Sequence, residues 1–245
     1  MKNSTKNQII NSIKRIKPGD VFSAEAFVTD SISSDAARMA LERMVAEGVI
    51  RKLGKGRYYK PEKTMFGELK PDVHQTVADL LEDKNHKITG YLTGTILFSQ
   101  LGLTTQISSQ IEIGVRKYRR AIKRGTVTIS FVLQHNPITK ENIPLLQLLD
   151  AIRFFREIPA ATPNEAVAGI SYLINQLKPE QQLRMISLAL NYSPYVRALL
   201  GAILEQSGLG EEQLKPLRSS LNAQTRYKLK LSQEILPTIA NWNIQ

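Results

Sequence analysis

Residues 34–59, SDAARMALERMVAEGVIRKLGKGRYY, constrain the fold more than any other stretch of the chain. In the first half, small and apolar residues recur at i, i+3, i+4, i+7 and i+8, which predicts a helix with one buried face. The buried positions are Ala37, Ala40, Leu41, Met44 and Val45. Ser34 is the expected N-cap, and Gly48 stands where a helix ends in the left-handed conformation. This half therefore predicts one amphipathic helix.

A short β-hairpin is predicted directly after the helix. Residues 49–53 and 57–60 flank the turn Gly54-Lys55-Gly56, and Pro61 stops the second strand. The basic side chains of the hairpin are Lys52, Lys55 and Arg57. A helix that fits the major groove of DNA, followed by a basic hairpin that can lie along phosphates, is the geometry of a winged helix-turn-helix.

The upstream sequence supplies the rest of such a domain. A first helix ends at Pro18-Gly19 and carries the apolar stripe Ile9, Ile10, Ile13 and Ile16. Ser23 is expected to cap a short second helix over 24–28, with Phe22 and Phe27 as core anchors. On these features, residues 1–60 resemble the winged-helix domains of bacterial transcriptional regulators, especially those at the start of type IV antitoxins.

The outward-facing residues of this predicted domain are the candidate DNA contacts. On the helix, the candidates for reading bases are Ser34, Arg38, Met39 and Arg43. On the wing, Lys52, Lys55 and Arg57 are expected to bind the DNA backbone. Composition favours the same partner, because 33 Lys and Arg outweigh 22 Asp and Glu and give a net charge of +11. A second interpretation stays open, since a helix plus hairpin is a common unit whose charged tip is often only solvated.

The middle of the chain predicts an α/β arrangement after a linker at 61–70 that is rich in Pro, Lys and Gly. Helices are expected at 72–81, 92–101 and 144–155, with Gly102 ending the second, and strands at Ile111 to Ile113 and over 125–133. This order resembles the second domain of abortive-infection type E antitoxins (AbiEi).

Among these antitoxin relatives, a subgroup of uncharacterised, DUF6088-like proteins resembles this chain in its whole layout, including the end of the sequence. The residues concerned are Leu221, Asn222, Thr225, Tyr227, Leu236, Pro237, Trp242, Asn243 and Ile244. Together the two resemblances cover nearly the whole chain. They imply a transcriptional autoregulator whose second half antagonises a nucleotidyltransferase-type toxin encoded beside it.

The densest charge cluster of the middle segment consists of Arg116, Lys117, Arg119, Arg120, Lys123 and Arg124. If the segment is a helix, Val115, Tyr118 and Ile122 point inward and the cations crowd one face. Like charges at i, i+4 repel each other, so an anionic partner such as tRNA or an acidic patch of the toxin would relieve the repulsion. Two interpretations stay open: the effector surface of an antitoxin, or a solvated face of a basic protein.

The carboxy-terminal third predicts helices at 164–176, 179–190 and 194–206, then a tail over 214–245 of loops and short helices anchored by Trp242. The predicted fold class is α+β, mainly α, with an N-terminal winged helix-turn-helix followed by a larger α/β to helical domain. The predicted domains are 1–63, 64–160 and 161–245, the last two continuous with each other.

The sequence disfavours an enzyme. The chain lacks cysteine and a G-x-x-x-x-G-K-[ST] loop, and His74, His86 and His135 have no metal-ligand spacing. We therefore expect no catalytic residue, no metal and no cofactor. No apolar stretch is long enough to span a membrane, and the first ten residues lack the apolar core of a signal peptide, so we expect a cytoplasmic protein.

These observations predict a DNA-binding autoregulator that is also the antitoxin of a type IV, AbiE-like toxin-antitoxin system. Its expected partners are double-stranded DNA of its own promoter operator, a nucleotidyltransferase-like toxin, and tRNA as a further candidate. The alternative is an RNA- or protein-binding adaptor that uses the basic middle segment and recognises no operator.

Overall fold

The computed structural model describes residues 5–245; residues 1–4 of the predicted first domain, part of the stretch judged to lack a signal peptide, lie outside it. The fold class is α+β, mainly α, as predicted, with about 45% helix and 17% strand. The chain divides into two compact units. The first runs up to Leu80 and includes Ala121–Ile129, and the second comprises Leu81–Arg120 and Ser130–Gln245. The first unit thus continues beyond residue 63 and takes in a segment assigned from sequence to the middle domain.

The first unit contains the predicted winged helix-turn-helix. In chain order its elements are α1 (Thr5–Arg15), β1 (Val21–Phe22), a 3₁₀ helix (Ala24–Phe27), α2 (Ser34–Ala46), β2 (Arg51–Gly54) and β3 (Arg57–Tyr59). The three strands form an antiparallel sheet in the order β1–β3–β2. Its hairpin β2–β3 is the wing, and α2 occupies the position of the recognition helix.

The apolar stripes predicted for α1 and α2 form one core. Ile9 and Ile13 are buried with Leu41 and Met44 of α2. Phe22 and Phe27 meet edge to face, with ring centroids 5.5 Å apart. The second helix is a 3₁₀ helix, and the Ser23 side chain forms no cap hydrogen bond with it. A segment of this length cannot complete a cooperative α-helical nucleus, so the tighter 3₁₀ turn is retained.

The N-cap of α2 differs from the prediction. Ser33, with extended backbone, caps the helix by accepting a hydrogen bond from the Ala36 N–H at 3.2 Å. Ser34 is therefore the first helical residue and keeps an exposed side chain. Two adjacent serines satisfy the cap pattern equally well, and only the backbone conformation decides between them.

The predicted linker at 61–70 is wrong, because this segment forms a second hairpin. Strands β4 (Glu62–Thr64) and β5 (Gly67–Leu69) pair antiparallel around an exposed turn whose Met65 and Phe66 are 94% and 96% exposed. Arg51 of the wing anchors the hairpin, donating from Nε and Nη2 to the two carboxylate oxygens of Glu68, both at 2.9 Å. A bidentate ion pair between segments that are distant in sequence leaves no signal in local composition.

Helix α3 (Val73–Leu81) follows as predicted, and the second unit then begins with β6 (Gly90–Thr93), α4 (Gly94–Gln100) and β7 (Gln110–Val115). The helix expected at 92–101 is therefore wrong at its start. Leu92 pairs with Ile113 in the ladder between β6 and β7, and Gly94 adopts a φ of +69°, which separates strand from helix.

The helix considered for the basic segment is also wrong. Val115 ends β7, an irregular stretch follows, and β8 (Ile122–Arg124) pairs with β9 (Val127–Leu133) through a turn at Gly125, where φ is +58°. Val115 is buried as expected, but Tyr118 is 80% exposed and Ile122 is also exposed. The backbone hydrogen bonds between β8 and β9 form in place of the helix. In a helix, the like charges of this segment would have lain one turn apart and repelled each other.

The remainder of the second unit is helical, as predicted. Its elements are α5 (Ile143–Arg153), a 3₁₀ helix (Phe155–Glu157), α6 (Pro163–Asn175), α7 (Pro179–Ala189), α8 (Pro194–Gln206), α9 (Glu211–Ser219) and a 3₁₀ helix (Pro237–Trp242). Thr162 and Glu165 form a capping box at the start of α6. Trp242 is buried against α8, where a Cβ on Gly201 would overlap the indole ring. The tryptophan therefore anchors the tail, as expected.

A hydrogen-bonded polar group lies inside the core of the second unit. Asp150 is fully buried and accepts hydrogen bonds from the hydroxyls of Tyr91 at 2.6 Å, Tyr192 at 2.9 Å and Thr93 at 3.0 Å. Burial raises the pKa of Asp150 against the effect of these donors. Three donors satisfy the carboxylate, so this group fixes the packing of α5 on the sheet. No helix within residues 5–245 is long and apolar enough to cross a membrane.

Candidate nucleic-acid interface

The outer face of α2 is the first part of the candidate interface. The helix buries Ala37, Leu41 and Met44 in the core of the first unit. Its exposed residues are Ser34, Asp35, Arg38, Met39, Glu42, Arg43 and Ala46. The four residues predicted to read bases are all among them, and the structure adds two carboxylates that the sequence argument did not assign.

Arg38 lies beside one of these carboxylates. Its Nη2 donates to Asp35 Oδ1 at 3.0 Å, and the two side chains are 65% and 84% exposed. Such an exposed pair is weak, since it contributes about 0–1 kcal/mol. A guanidinium has five N–H donors, so Arg38 can keep this bond and still donate to a base edge. Asp35 therefore orients Arg38 without blocking it.

Glu42 connects the recognition helix with the wing. Its Oε1 accepts hydrogen bonds from Lys52 Nζ and from the Tyr58 hydroxyl, both at 2.7 Å. The bond from Lys52, followed by that from Tyr58, lowers the pKa of Glu42. Burial, together with the bond to Glu42, raises the pKa of Tyr58 to about 12. Lys52, predicted to bind DNA phosphates, is therefore engaged within the protein, where it fixes the wing strands to α2.

The tip of the wing is formed by Lys55 and Gly56, which has a φ of +67° and so favours glycine. Lys55 is exposed, and within residues 5–245 it is paired with no carboxylate. Arg57 differs, because its Nε and Nη2 donate to Asp79 Oδ2 at 3.0 and 2.7 Å. Of the three wing residues predicted from sequence, Lys55 is the cation that the structure leaves available to phosphate.

Asp79 also binds Arg124, so two cations share one carboxylate. Arg124 is buried, and its Nη1 and Nη2 donate to the two Asp79 oxygens at 2.6 and 2.9 Å, with a further bond to the Thr76 carbonyl. Burial raises the pKa of Asp79, but the hydrogen bonds and charges of Arg124 and Arg57 outweigh it and hold the pKa below its ordinary 3.8. This cluster stabilises the first unit from within.

The six cations of the basic run do not share one face. Arg116, Lys117, Arg119 and Arg120 are exposed on the stretch after β7, in the second unit. Lys123 and Arg124 belong to β8, in the first unit, where Lys123 is exposed and Arg124 is buried in the Asp79 cluster. The assignment of Arg124 to an exposed effector surface is therefore wrong, because its guanidinium is buried in an ion pair with Asp79.

Three carboxylates were missed by the sequence argument, and their signals differ. Asp35 precedes Arg38 by one helical turn, a spacing that is readable from sequence. Glu42 follows Arg38 by four residues, also about one helical turn, but its bonds to Lys52 and Tyr58 depend on how the hairpin folds back. The partners of Asp79 lie 22 and 45 residues away along the chain. Only the first of these contacts could have been predicted locally.

The fold and the exposed face of α2 define the class of this chain as a winged helix-turn-helix protein with a second, larger unit. Residues 8–153 match a family of unknown function, DUF6088, and the chain belongs to that family. Among solved structures it is similar to the Rv2827c protein of Mycobacterium tuberculosis, with 12% sequence identity and a TM-score of 0.48. That similarity covers 92% of this chain and 84% of the other. No curated protein matches the sequence.

Proposed function

We propose that this protein is a transcriptional regulator that binds double-stranded DNA with α2 in the major groove and the wing tip on the phosphate backbone. The observation that carries the proposal is the outer face of α2, where Arg38, Met39 and Arg43 are exposed on a helix whose opposite face is packed in the core. A helix supported in this way fits the major groove, whose base edges it can reach without disturbing the core.

The exposed residues have separate expected roles. Arg38 is the residue expected to select bases, because a guanidinium donates two hydrogen bonds to O6 and N7 of guanine. Met39 offers an apolar contact to a thymine methyl group. Arg43 and Lys55 are expected to bind phosphates, which strengthens binding without selecting sequence. Lys52 and Arg57 act indirectly, because each holds the wing in place through a carboxylate of the protein.

The biological role proposed for this binding is autoregulation by an antitoxin of an AbiE-like system. The support is the resemblance of the middle segment to the second domain of AbiEi antitoxins, together with the two-unit division of the chain. The whole layout resembles an uncharacterised subgroup among these antitoxin relatives. In this proposal the first unit binds the promoter operator of the gene, and the second unit counteracts a nucleotidyltransferase-like toxin. A toxicity assay tests the second part with the product of the adjacent gene, which the proposal expects to be a growth-arresting nucleotidyltransferase. Co-expression of this protein should restore growth, and an adjacent gene of another kind or continued growth arrest would reject the antitoxin role.

Fluorescence anisotropy with two duplexes tests the DNA-binding proposal. One duplex carries the sequence upstream of the gene, and the other is a scrambled duplex of the same length and composition. Arg38→Ala should reduce the preference for the first duplex by about 1–3 kcal/mol, the value of a good bidentate base contact. Lys215→Ala is the matched control, since Lys215 is an exposed cation of α9 in the second unit. Equal affinity of the wild-type protein for both duplexes would refute operator recognition.

A second candidate function is RNA binding by the stretch 116–120, which one observation favours. Tyr118 is 80% exposed among four exposed cations, and Arg119 lies over the Phe131 ring at 5.3 Å. An exposed aromatic ring among cations is the arrangement that stacks on unpaired bases. Tyr118→Ala should then weaken binding of single-stranded RNA and leave duplex DNA binding unchanged. An RNA affinity that Tyr118→Ala does not alter would remove this candidate.

A further inference from the structure

The second unit contains a basic cavity that has no role in the functions proposed above. It has a volume of about 350 Å³ and lies where the end of α5, the start of α8 and the tail at 226–229 meet. Its polar lining consists of Arg153, Arg156, Tyr195, Arg226, Tyr227 and Lys228, together with one carboxylate, Glu157. Four cations against one carboxylate give the cavity a strongly positive potential.

The cations of the cavity are not neutralised by the protein. Within residues 5–245, none of Arg153, Arg156, Arg226 and Lys228 forms a salt bridge with a carboxylate. Three of them are held in position instead. Arg153 lies over the Phe154 ring at 4.9 Å, and Arg156 lies over the Phe155 ring and donates to the Lys228 carbonyl. Arg226 donates to the Ala223 carbonyl at 3.1 Å. Cations that are oriented but unpaired lose little conformational entropy when they bind an anion.

Tyr227 holds the tail side of the cavity in place. The residue is 8% exposed, and its hydroxyl is shielded from solvent. It is fixed through its backbone, because its N–H donates to the Asn243 carbonyl and its carbonyl accepts from the Gln245 N–H, both at 2.8 Å. The neighbouring Arg226 and Lys228 are therefore carried on a fixed stretch of backbone.

We propose that this cavity binds a phosphomonoester of mononucleotide size. Near neutral pH such a group carries a charge of about −1.5 to −2 and offers three strong acceptor oxygens. These oxygens match the guanidinium groups of Arg153, Arg156 and Arg226. The ring of Tyr195 supplies a surface on which a base can stack. The phosphomonoester can come from a free nucleotide or from the 5′ end of a nucleic acid.

Isothermal titration calorimetry on the full-length protein tests the proposal, with 5′-AMP, inorganic phosphate and adenosine as probes. We expect 5′-AMP and phosphate to bind and adenosine not to bind. Arg226→Gln and Arg156→Gln should each raise the Kd for 5′-AMP about tenfold, because each removes one guanidinium that donates to a charged acceptor. Lys215→Gln is the control for loss of one exposed positive charge elsewhere in the same unit.

Thermal unfolding without ligand separates binding from a structural role. Because Arg226 is exposed, the Tm of unliganded Arg226→Gln should stay close to that of the wild type, while the increase in Tm caused by 5′-AMP should shrink. Equal affinity for 5′-AMP and adenosine would overturn the proposal, as would a Kd for 5′-AMP that neither Arg226→Gln nor Arg156→Gln changes.

A last comparison identifies the source of the phosphate. Tighter binding of a 5′-phosphorylated RNA oligonucleotide than of 5′-AMP, lost when the end is a 5′-hydroxyl, would support the site and assign it to nucleic-acid ends. Tighter binding of 5′-AMP would support the site and assign it to free nucleotides. The site does not depend on DNA binding by α2, so its failure and the failure of the proposed function are distinguishable.

Discussion

Replacing Asp79 with Asn should destabilise the first unit while making the wing a better ligand for DNA. The substitution keeps the shape of the side chain but removes the charge that Arg57 and Arg124 share. Arg124 has only 7% of its side chain exposed, and its remaining partner is the Thr76 carbonyl. Arg57 lies nearer the surface, with 29% of its side chain exposed, and it can turn to solvent or to a phosphate. The two arginines therefore respond differently to the same change.

The expected loss in the free energy of unfolding follows from this difference between the two arginines. Breaking a buried ion pair by removing one partner costs about 3–5 kcal/mol, because the other charge stays buried and uncompensated. The retained bond to Thr76 and the partial exposure of Asp79 place the effect at the lower end, about 3 kcal/mol. The bond to Arg57 adds at most about 1 kcal/mol, as expected for a partly exposed pair. Arg124→Met combined with Asp79→Asn should recover much of the loss, because no buried charge is then left.

The contribution of Asp79 to stability depends on pH with a definite sign. The pKa of Asp79 is lower in the folded protein than its ordinary 3.8, so the folded state favours the ionised carboxylate. Its contribution to the free energy of unfolding is therefore fully present above about pH 5 and is lost as the pH falls through 3.8 toward the folded pKa. The difference between wild type and Asp79→Asn should shrink over the same interval, provided that the protein stays folded there.

Hydrogen exchange is the suitable assay, because the two units need separate probes. The single tryptophan, Trp242, lies in the second unit, so its fluorescence does not report on the cluster. Exchange of the α3 and β8 amides does report on it. Asp30→Asn is the control, since it removes one exposed carboxylate from the same unit. A loss of less than about 1 kcal/mol, or one equal to that of Asp30→Asn, would show that Arg124 does not depend on Asp79.

Three further predictions concern single contacts. Lys55→Ala should lower the slope of log K against log salt for DNA binding by about one unit, measured by anisotropy at several salt concentrations, and an unchanged slope would exclude phosphate contact by the wing tip. Tyr58→Phe should cost about 1 kcal/mol, measured by hydrogen exchange in α2, since it removes one bond to Glu42 but leaves the ring in place. Gly201→Ala should lower stability by about 1–3 kcal/mol in urea denaturation followed by tryptophan fluorescence, because the added Cβ overlaps the Trp242 ring; a neutral result would show that the tail can shift.

The sequence predicted best those elements whose signal is local. The apolar spacing from Ala37 to Met44 predicted helix α2, and Pro194 predicted the start of α8 at the residue observed. The wing was readable because its glycines and aromatic residues occur at the spacing of a tight hairpin. In each case the residues that form the pattern lie close together, within about one to three helical turns or strand lengths. A short stretch of sequence therefore contains the whole pattern.

The helix considered for the basic segment was a wrong prediction, because the structure of this segment is decided by its pairing with a second strand. Ile122 and Arg124 are compatible with a helix or with a strand, and the choice depends on their pairing with Ile129 and Val127 of β9. The role of Arg124 depends on Asp79, which comes 45 residues earlier in the sequence. Neither relation has a local pattern, so the same six cations could be predicted as one surface when the fold divides them between two units.

The net charge of the chain also overstates the salt dependence expected if the first unit binds DNA. The basic residues on and beside the wing are largely neutralised within the protein: Arg51 by Glu68, Lys52 by Glu42 and Arg57 by Asp79. A cation that already has a carboxylate partner releases fewer counterions when it meets a phosphate, so the salt dependence should be weaker than the basic composition suggests.

The outer face of α2, in contrast, displays both signs of charge, since Asp35 and Glu42 lie among its arginines. Carboxylates repel phosphates but accept hydrogen bonds from the amino group of cytosine, as arginine donates to guanine. A face of mixed charge therefore gains little from DNA in general and more from a matching sequence. This is the balance expected of a helix that selects an operator and of a wing that contributes affinity mainly through Lys55.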